Sequence, residues 1–96
     1  TMPEGLSILG ERYTIDIILM VHDKPGINKT EIIRSSPSGE RTRAVRVDEL
    51  VEAGILETVE GEHWRGLYYK LTEFGQEVAA SLVTLRNTFG KYGAEN

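Results

Sequence analysis

A mostly helical α+β fold, with a three-helix core, a β-hairpin and a long C-terminal helix, is predicted by three features of the sequence. Apolar residues recur at helical spacing on both sides of a single pair of strand-like runs, and Gly, Pro and Asn stand where each periodicity stops. The third feature is composition. A chain of 96 residues with 40% hydrophobic and 27% charged side chains suits one core, so residues 1–96 are expected to form a single domain. The absence of Cys excludes disulfide scaffolds, zinc ribbons and thiol chemistry.

The first helix is expected over Glu11 to Asp23, where Tyr13, Ile15, Ile17, Ile18, Leu19, Met20 and Val21 are apolar on more than one face, as in a helix covered by its neighbours. Lys24-Pro25-Gly26 stops it. Asn28 followed three residues later by Glu31 has the spacing of a capping box, so a short second helix runs from about Lys29 to Arg34 with Ile32 and Ile33 inward. The turn Ser35-Ser36-Pro37-Ser38-Gly39 leads to a third helix, Gly39 to Ala53, with Ala44, Val47, Leu50 and Val51 at helical spacing and Gly54 as its C-terminal cap residue. Stepping at about 100° per residue puts Arg41, Thr42, Val45, Arg46 and Glu49 away from that apolar stripe.

Ile55 to Glu60 and Leu67 to Thr72 read as two strands joined by the Gly-rich, charged turn Gly61 to Gly66. The last helix, Glu73 to Tyr92, carries Val78, Leu82, Leu85, Phe89 and Tyr92 at alternating steps of four and three, a seam of coiled-coil type. Thr1–Gly5 and Gly93–Asn96 read as loose termini.

The formal charge of −4 speaks at first against nucleic acid, but the charge is segregated. Between Lys29 and Arg46, five basic residues (Lys29, Arg34, Arg41, Arg43, Arg46) face two acidic ones, a net +3. The remaining residues hold six basic and thirteen acidic side chains, a net −7. Three helices, a hairpin and a closing helix is the order of a winged helix-turn-helix, in which the third helix enters the major groove and the second crosses the phosphate backbone. The basic island falls on those two elements, which predicts binding to double-stranded DNA.

Within that frame Arg41 and Arg46 are candidates for guanine edges or flanking phosphates, because the guanidinium fork matches guanine O6 and N7. Val45 suits a thymine methyl, Ser38 and Thr42 suit phosphate or base hydrogen bonds, and Lys29 and Arg34 suit the backbone. Arg65, flanked by Gly61 and Gly66 at the hairpin tip, is placed to reach a minor groove or phosphate, whereas Trp64 is expected to cover the hairpin's apolar face.

The segment Leu9-Gly10-Glu11-Arg12-Tyr13-Thr14-Ile15-Asp16-Ile17-Ile18 resembles the opening signature of HxlR-type winged-helix transcriptional regulators, with Tyr13 in the place of the usual Trp. Leu71-Thr72-Glu73-Phe74-Gly75 is similar to the Leu-Thr-Glu-Leu-Gly that joins wing to last helix in that family and in MarR-like and PadR-like regulators. Glu49-Leu50-Val51-Glu52-Ala53-Gly54-Ile55-Leu56 looks like the exit from the recognition helix, and the resemblance spans roughly Ser7 to Phe89. It implies a homodimeric regulator that binds inverted-repeat operators and dimerises through its terminal helices. Three departures stand out. There is no N-terminal Cys for thiol sensing, the wing tip has Glu60 and Glu62 against Arg65 alone, and Arg43 occupies a recognition-helix position that is usually apolar. Either the first turn of that helix is rotated or the Arg43 side chain turns outward to reach the phosphates.

Dimerisation is expected through residues 73–92, using Val78, Leu82, Leu85, Phe89 and Tyr92, with Tyr13, Ile17 and Met20 of the first helix joining. Catalysis finds no motif, since neither His22 nor His63 has a Ser and carboxylate at motif spacing and there is no Gly-rich phosphate loop. The two histidines also lack clustered ligands, so no metal and no cofactor is expected. The longest apolar stretch, Ile17 to Val21, is too short to span a bilayer, and a cytoplasmic protein is expected. The alternative class is a winged-helix protein-protein interaction module that does not bind DNA. A third reading adds a small-molecule effector of unknown identity, held between the first and last helices near Tyr13 and Phe89.

Overall fold

The computed structural model describes residues 4–59 and 66–93. A 3₁₀ helix, Leu6–Gly10, precedes α1 (Thr14–Asp23), β1 (Ile27–Asn28), α2 (Lys29–Ile33), α3 (Glu40–Glu52), β2 (Leu56–Val59), β3 (Tyr68–Leu71) and α4 (Glu73–Gly93). This is the winged helix-turn-helix order anticipated from the sequence, with two additions, the 3₁₀ helix and β1. The expected wing tip, including His63, Trp64 and Arg65, lies outside the described residues.

α1 starts at Thr14 rather than Glu11, because Tyr13 takes the left-handed conformation (φ 71°) and breaks the helix before it. Asn28 caps α2 as its spacing with Glu31 predicts: its side chain accepts the Glu31 amide at 2.8 Å, while the Glu31 carboxylate pairs with Lys24. α3 ends at Glu52, and Gly54 (φ 79°) supplies the left-handed residue that follows a helix end.

The sheet has the order β1-β3-β2, with both pairings antiparallel. Leu56 stands opposite Leu71 and Val59 opposite Tyr68, while β1 adds two residues on the other edge, Ile27 opposite Tyr69 and Asn28 opposite Tyr68. A strand so short gives no alternation to read. It is held by flanking bonds, Gly26 N–H to Tyr69 O and Lys29 N–H to Leu67 O, each 2.8 Å.

The core draws Ile17, Ile18 and Val21 from α1, Ile32 from α2, Val47 and Leu50 from α3, Leu56, Tyr69 and Leu71 from the sheet, and Ala79 and Leu82 from α4. Thr72 knots three elements together: its hydroxyl donates to Gly54 O at 2.5 Å and accepts the Gly75 amide at 2.9 Å. Gly75 itself sits against the Ile55 carbonyl, where any Cβ would collide. The Leu71-Thr72-Glu73-Phe74-Gly75 motif is therefore the joint between wing and last helix, with Thr72 as cap and Gly75 as the point of closest approach.

Two expectations about packing are corrected. Ile17, expected to join a dimer seam, is fully buried beneath its own neighbours. Leu82 is likewise part of the subunit's own core and Val78 packs against it, so the seam on α4 divides after Leu82. Only its outer part, Leu85, Phe89 and Tyr92, stands free, at 50%, 70% and 76% exposure.

Candidate nucleic-acid interface

The second and third helices and the turn between them place the basic island, but they divide it. Arg41, Thr42 and Val45 lie exposed on the outward face of the first half of α3, and Arg34 and Ser38 are exposed in the preceding turn. Neither the Arg34 nor the Arg41 guanidinium has a hydrogen-bond or ion-pair partner among the described residues. Unpaired guanidiniums, one in the turn and one on a helix that packs its other face on the core, are available to an anionic partner.

The other two arginines of α3 turn inward, correcting the expectation that they face DNA. Arg46 is 9% exposed. Its Nε donates to Arg12 O at 3.0 Å, one terminal nitrogen bonds the Glu49 carboxylate, and the other lies 3.6 Å from Glu11. A side chain so held has no fork left for a guanine, and its effect is to neutralise acids beside the helix.

Arg43 is 2% exposed and does not turn outward to phosphates. Its Nε and Nη2 both donate to Ile33 O, at 2.8 and 2.5 Å, while Nη2 also reaches Ser36 O at 2.6 Å and Nη1 reaches Ser36 Oγ at 3.1 Å. Ile33 is the last residue of α2, so the guanidinium satisfies a carbonyl that the helix end leaves open. The long aliphatic stem spans what an apolar residue would fill, and the charged end finds backbone oxygens instead of water.

Tyr13 completes this packing. Its ring centroid lies 5.2 Å from the Arg43 guanidinium carbon and 5.3 Å from that of Arg12. The ring also occupies the space a Cβ would need at Gly39 (φ 78°), the residue that starts α3. Tyr13 thus packs against the helix-turn-helix of its own subunit, which corrects its expected place in a dimer seam.

Lys29 is a half-buried partner of Asp48, at 2.6 Å. Two of the four acids of α3 are therefore answered from within: Asp48 by Lys29 and Glu49 by Arg46. Burial raises the Tyr69 phenol above its usual range, with Lys29 opposing the rise and Asp48 adding to it. Arg12, to which the sequence assigns no role, is an exposed cation brought beside the start of α3 through Tyr13. Charge segregation along the chain does not reveal it, because it lies outside the Lys29–Arg46 island.

Fold and surface together define a winged-helix protein of the kind seen in HxlR- and MarR-type transcriptional regulators. No protein-family model matches the chain, and no curated protein matches it in sequence. Solved structures do match. A possible HxlR family transcriptional factor from Thermoplasma volcanium is 27% identical with a TM-score of 0.80, over 98% of this chain and 84% of that one. The reduced form of the transcriptional regulator YodB from B. subtilis is 22% identical with a TM-score of 0.75, over 100% and 99%. A MarR protein from Peptoclostridium difficile shares the fold at 18% identity and a TM-score of 0.77; there the match takes in 94% of this chain but 60% of the other.

Proposed function

We propose that the chain is a sequence-specific double-stranded DNA-binding transcriptional regulator that acts as a homodimer. The observation that carries this reading is the outward first half of α3, where Arg41, Thr42 and Val45 are exposed and Arg41 is unpaired among the described residues, on a chain whose net charge is otherwise acidic. The likeness to transcriptional regulators supports it.

In this reading α3 enters the major groove by its N-terminal half. Arg41 bonds guanine O6 and N7, Val45 meets a thymine methyl, and Thr42 and Ser38 bond a base edge or phosphate. Arg34 holds the turn on the backbone, and the wing, with Arg65 assigned to it from sequence, touches an adjacent groove. The second half of α3 carries Asp48, Glu49 and Glu52 and stays out of the groove. Two copies associate through Leu85, Phe89 and Tyr92, which recur on α4 in steps of four and three. Repression or activation follows from occupancy of the site, with no catalytic step, in the cytoplasm. Among the described residues no helix is long and apolar enough to cross a membrane.

The test is selection from a randomised duplex pool. The reading expects enrichment of an inverted repeat with half-site centres about one helical turn, ~34 Å, or a multiple of it apart. A single unrepeated site contradicts the dimer, and no enrichment contradicts sequence-specific binding.

A further inference from the structure

We infer that Arg43 is a positioning residue for DNA recognition: buried, it fixes the α2–α3 turn so that the exposed side chains of α3 meet base edges in register. The inference rests on the DNA-binding reading for its functional half and on geometry alone for its structural half. The Arg43 guanidinium reaches back ten residues to the end of α2 and seven residues to the turn, donating to Ile33 O, Ser36 O and Ser36 Oγ. Its central carbon lies 5.2 Å from the Tyr13 ring centroid, and that ring fills the space beside Gly39 where α3 begins.

One side chain thereby fixes three things at once: where α2 stops, the path of residues 34–39, and the seat of the first turn of α3. Arg41 and Thr42 lie two residues and one residue before Arg43 on the same helix, so any rotation of that turn carries them with it. Base readout requires side chains held to within about 0.5 Å, and that precision comes from the residues behind them rather than from those that touch the ligand. An apolar side chain at position 43 fills the volume but supplies no donors, leaving Ile33 O and Ser36 O without this partner. Lysine keeps the charge without the planar fork that serves several oxygens at once.

Arg43→Met in the full chain tests this, with amide hydrogen exchange and DNA binding as separate readouts. The variant is expected to keep its helical content and oligomeric state while exchange of the hydrogen-bonded amides that flank the turn, those of Arg34, Ser35 and Arg43, accelerates about tenfold or more. Its affinity for the duplex selected with the wild type is expected to fall about tenfold, the effect of removing a hydrogen bond to a charged group. Affinity for random duplex and its salt slope stay unchanged, because a buried guanidinium neutralises no phosphate. Equal weakening on both duplexes with a shallower slope makes Arg43 a phosphate ligand and overturns the inference. Unchanged exchange together with unchanged affinity for the selected duplex overturns it as well. If the wild type binds no DNA, the DNA-binding reading fails, and the exchange result still decides whether Arg43 fixes the turn. Should Arg43→Met fail to fold, Arg43→Lys keeps the charge but replaces the planar fork with a single ammonium. It is expected to move both readouts in the same direction by a smaller factor, and no movement in either refutes the inference.

Discussion

α3 is divided across its width and α4 along its length. Around α3, Arg41 projects free into solvent while Arg43, two residues on, is enclosed by the end of α2, and Arg46 is enclosed by Arg12, Glu11 and Glu49. Along α4, Gly75, Ala79 and Leu82 are buried, and beyond Leu82 none of its described residues is buried. Both helices therefore combine an anchoring part with a presenting part. In α3 the two parts share the same residue type, so position on the helix and not chemistry separates an arginine that holds the fold from one offered to a partner.

The sharpest way to break this division is on α4. Leu82→Ala is expected to cost about 2–5 kcal/mol, by leaving a cavity in the subunit core, as measured by chemical denaturation. Leu85→Asp, one turn further, is expected to leave the fold intact and shift sedimentation toward monomer. A dimer that survives Leu85→Asp and Phe89→Asp together removes the assigned seam.

The next contrast is within α3. Arg46→Ala leaves the Arg12 carbonyl without this donor and Glu11 and Glu49 without their cation, and is expected to destabilise the fold by about 1.5–3 kcal/mol. Arg41→Ala is expected to stay within about 0.5 kcal/mol of wild-type stability. Its cost falls on DNA instead, about 1–3 kcal/mol on the selected site with relaxed preference at one base pair. A destabilised Arg41→Ala or a fully stable Arg46→Ala contradicts the division.

The smallest effect is expected at Thr14, whose Oγ1 is buried with no hydrogen-bond partner among the described residues. Thr14→Val replaces that hydroxyl with a methyl of similar shape and is expected to be neutral or to stabilise by up to about 1 kcal/mol in thermal or denaturant unfolding. A clear drop in stability means the hydroxyl has a partner in solution.

The fold was legible because its signals are local. Asn28 with Glu31 and Gly54 after α3 each act within a few residues of where they stand. β1 was not legible, since two residues carry no period and their pairing depends on Tyr69, which is distant in sequence. Of the candidate interface, the helix and its exposed Arg41, Thr42 and Val45 could be read from periodicity, but the fate of Arg43 and Arg46 could not. A helical wheel fixes the direction of Cα–Cβ, while an arginine places its charge several bonds further on, where acceptors from distant segments decide its orientation. The backbone acceptors here are Ile33 O, Ser36 O and Arg12 O, none of them on α3. Ile17 and Leu82 failed for a related reason, because an apolar stripe is the same whether its own subunit or a second copy covers it.

The central claim is that the exposed arginines of the helix-turn-helix, and not the buried ones, face the phosphates and bases. It is tested most directly by fluorescence anisotropy of a labelled random duplex across a salt series, comparing wild type with Arg34→Ala/Arg41→Ala. The account predicts binding that weakens steeply with salt, and a variant that binds more weakly with a slope shallower by about 0.9, for the one phosphate that Arg34 no longer neutralises. No binding at low salt, or a variant with the wild-type slope and affinity, contradicts it.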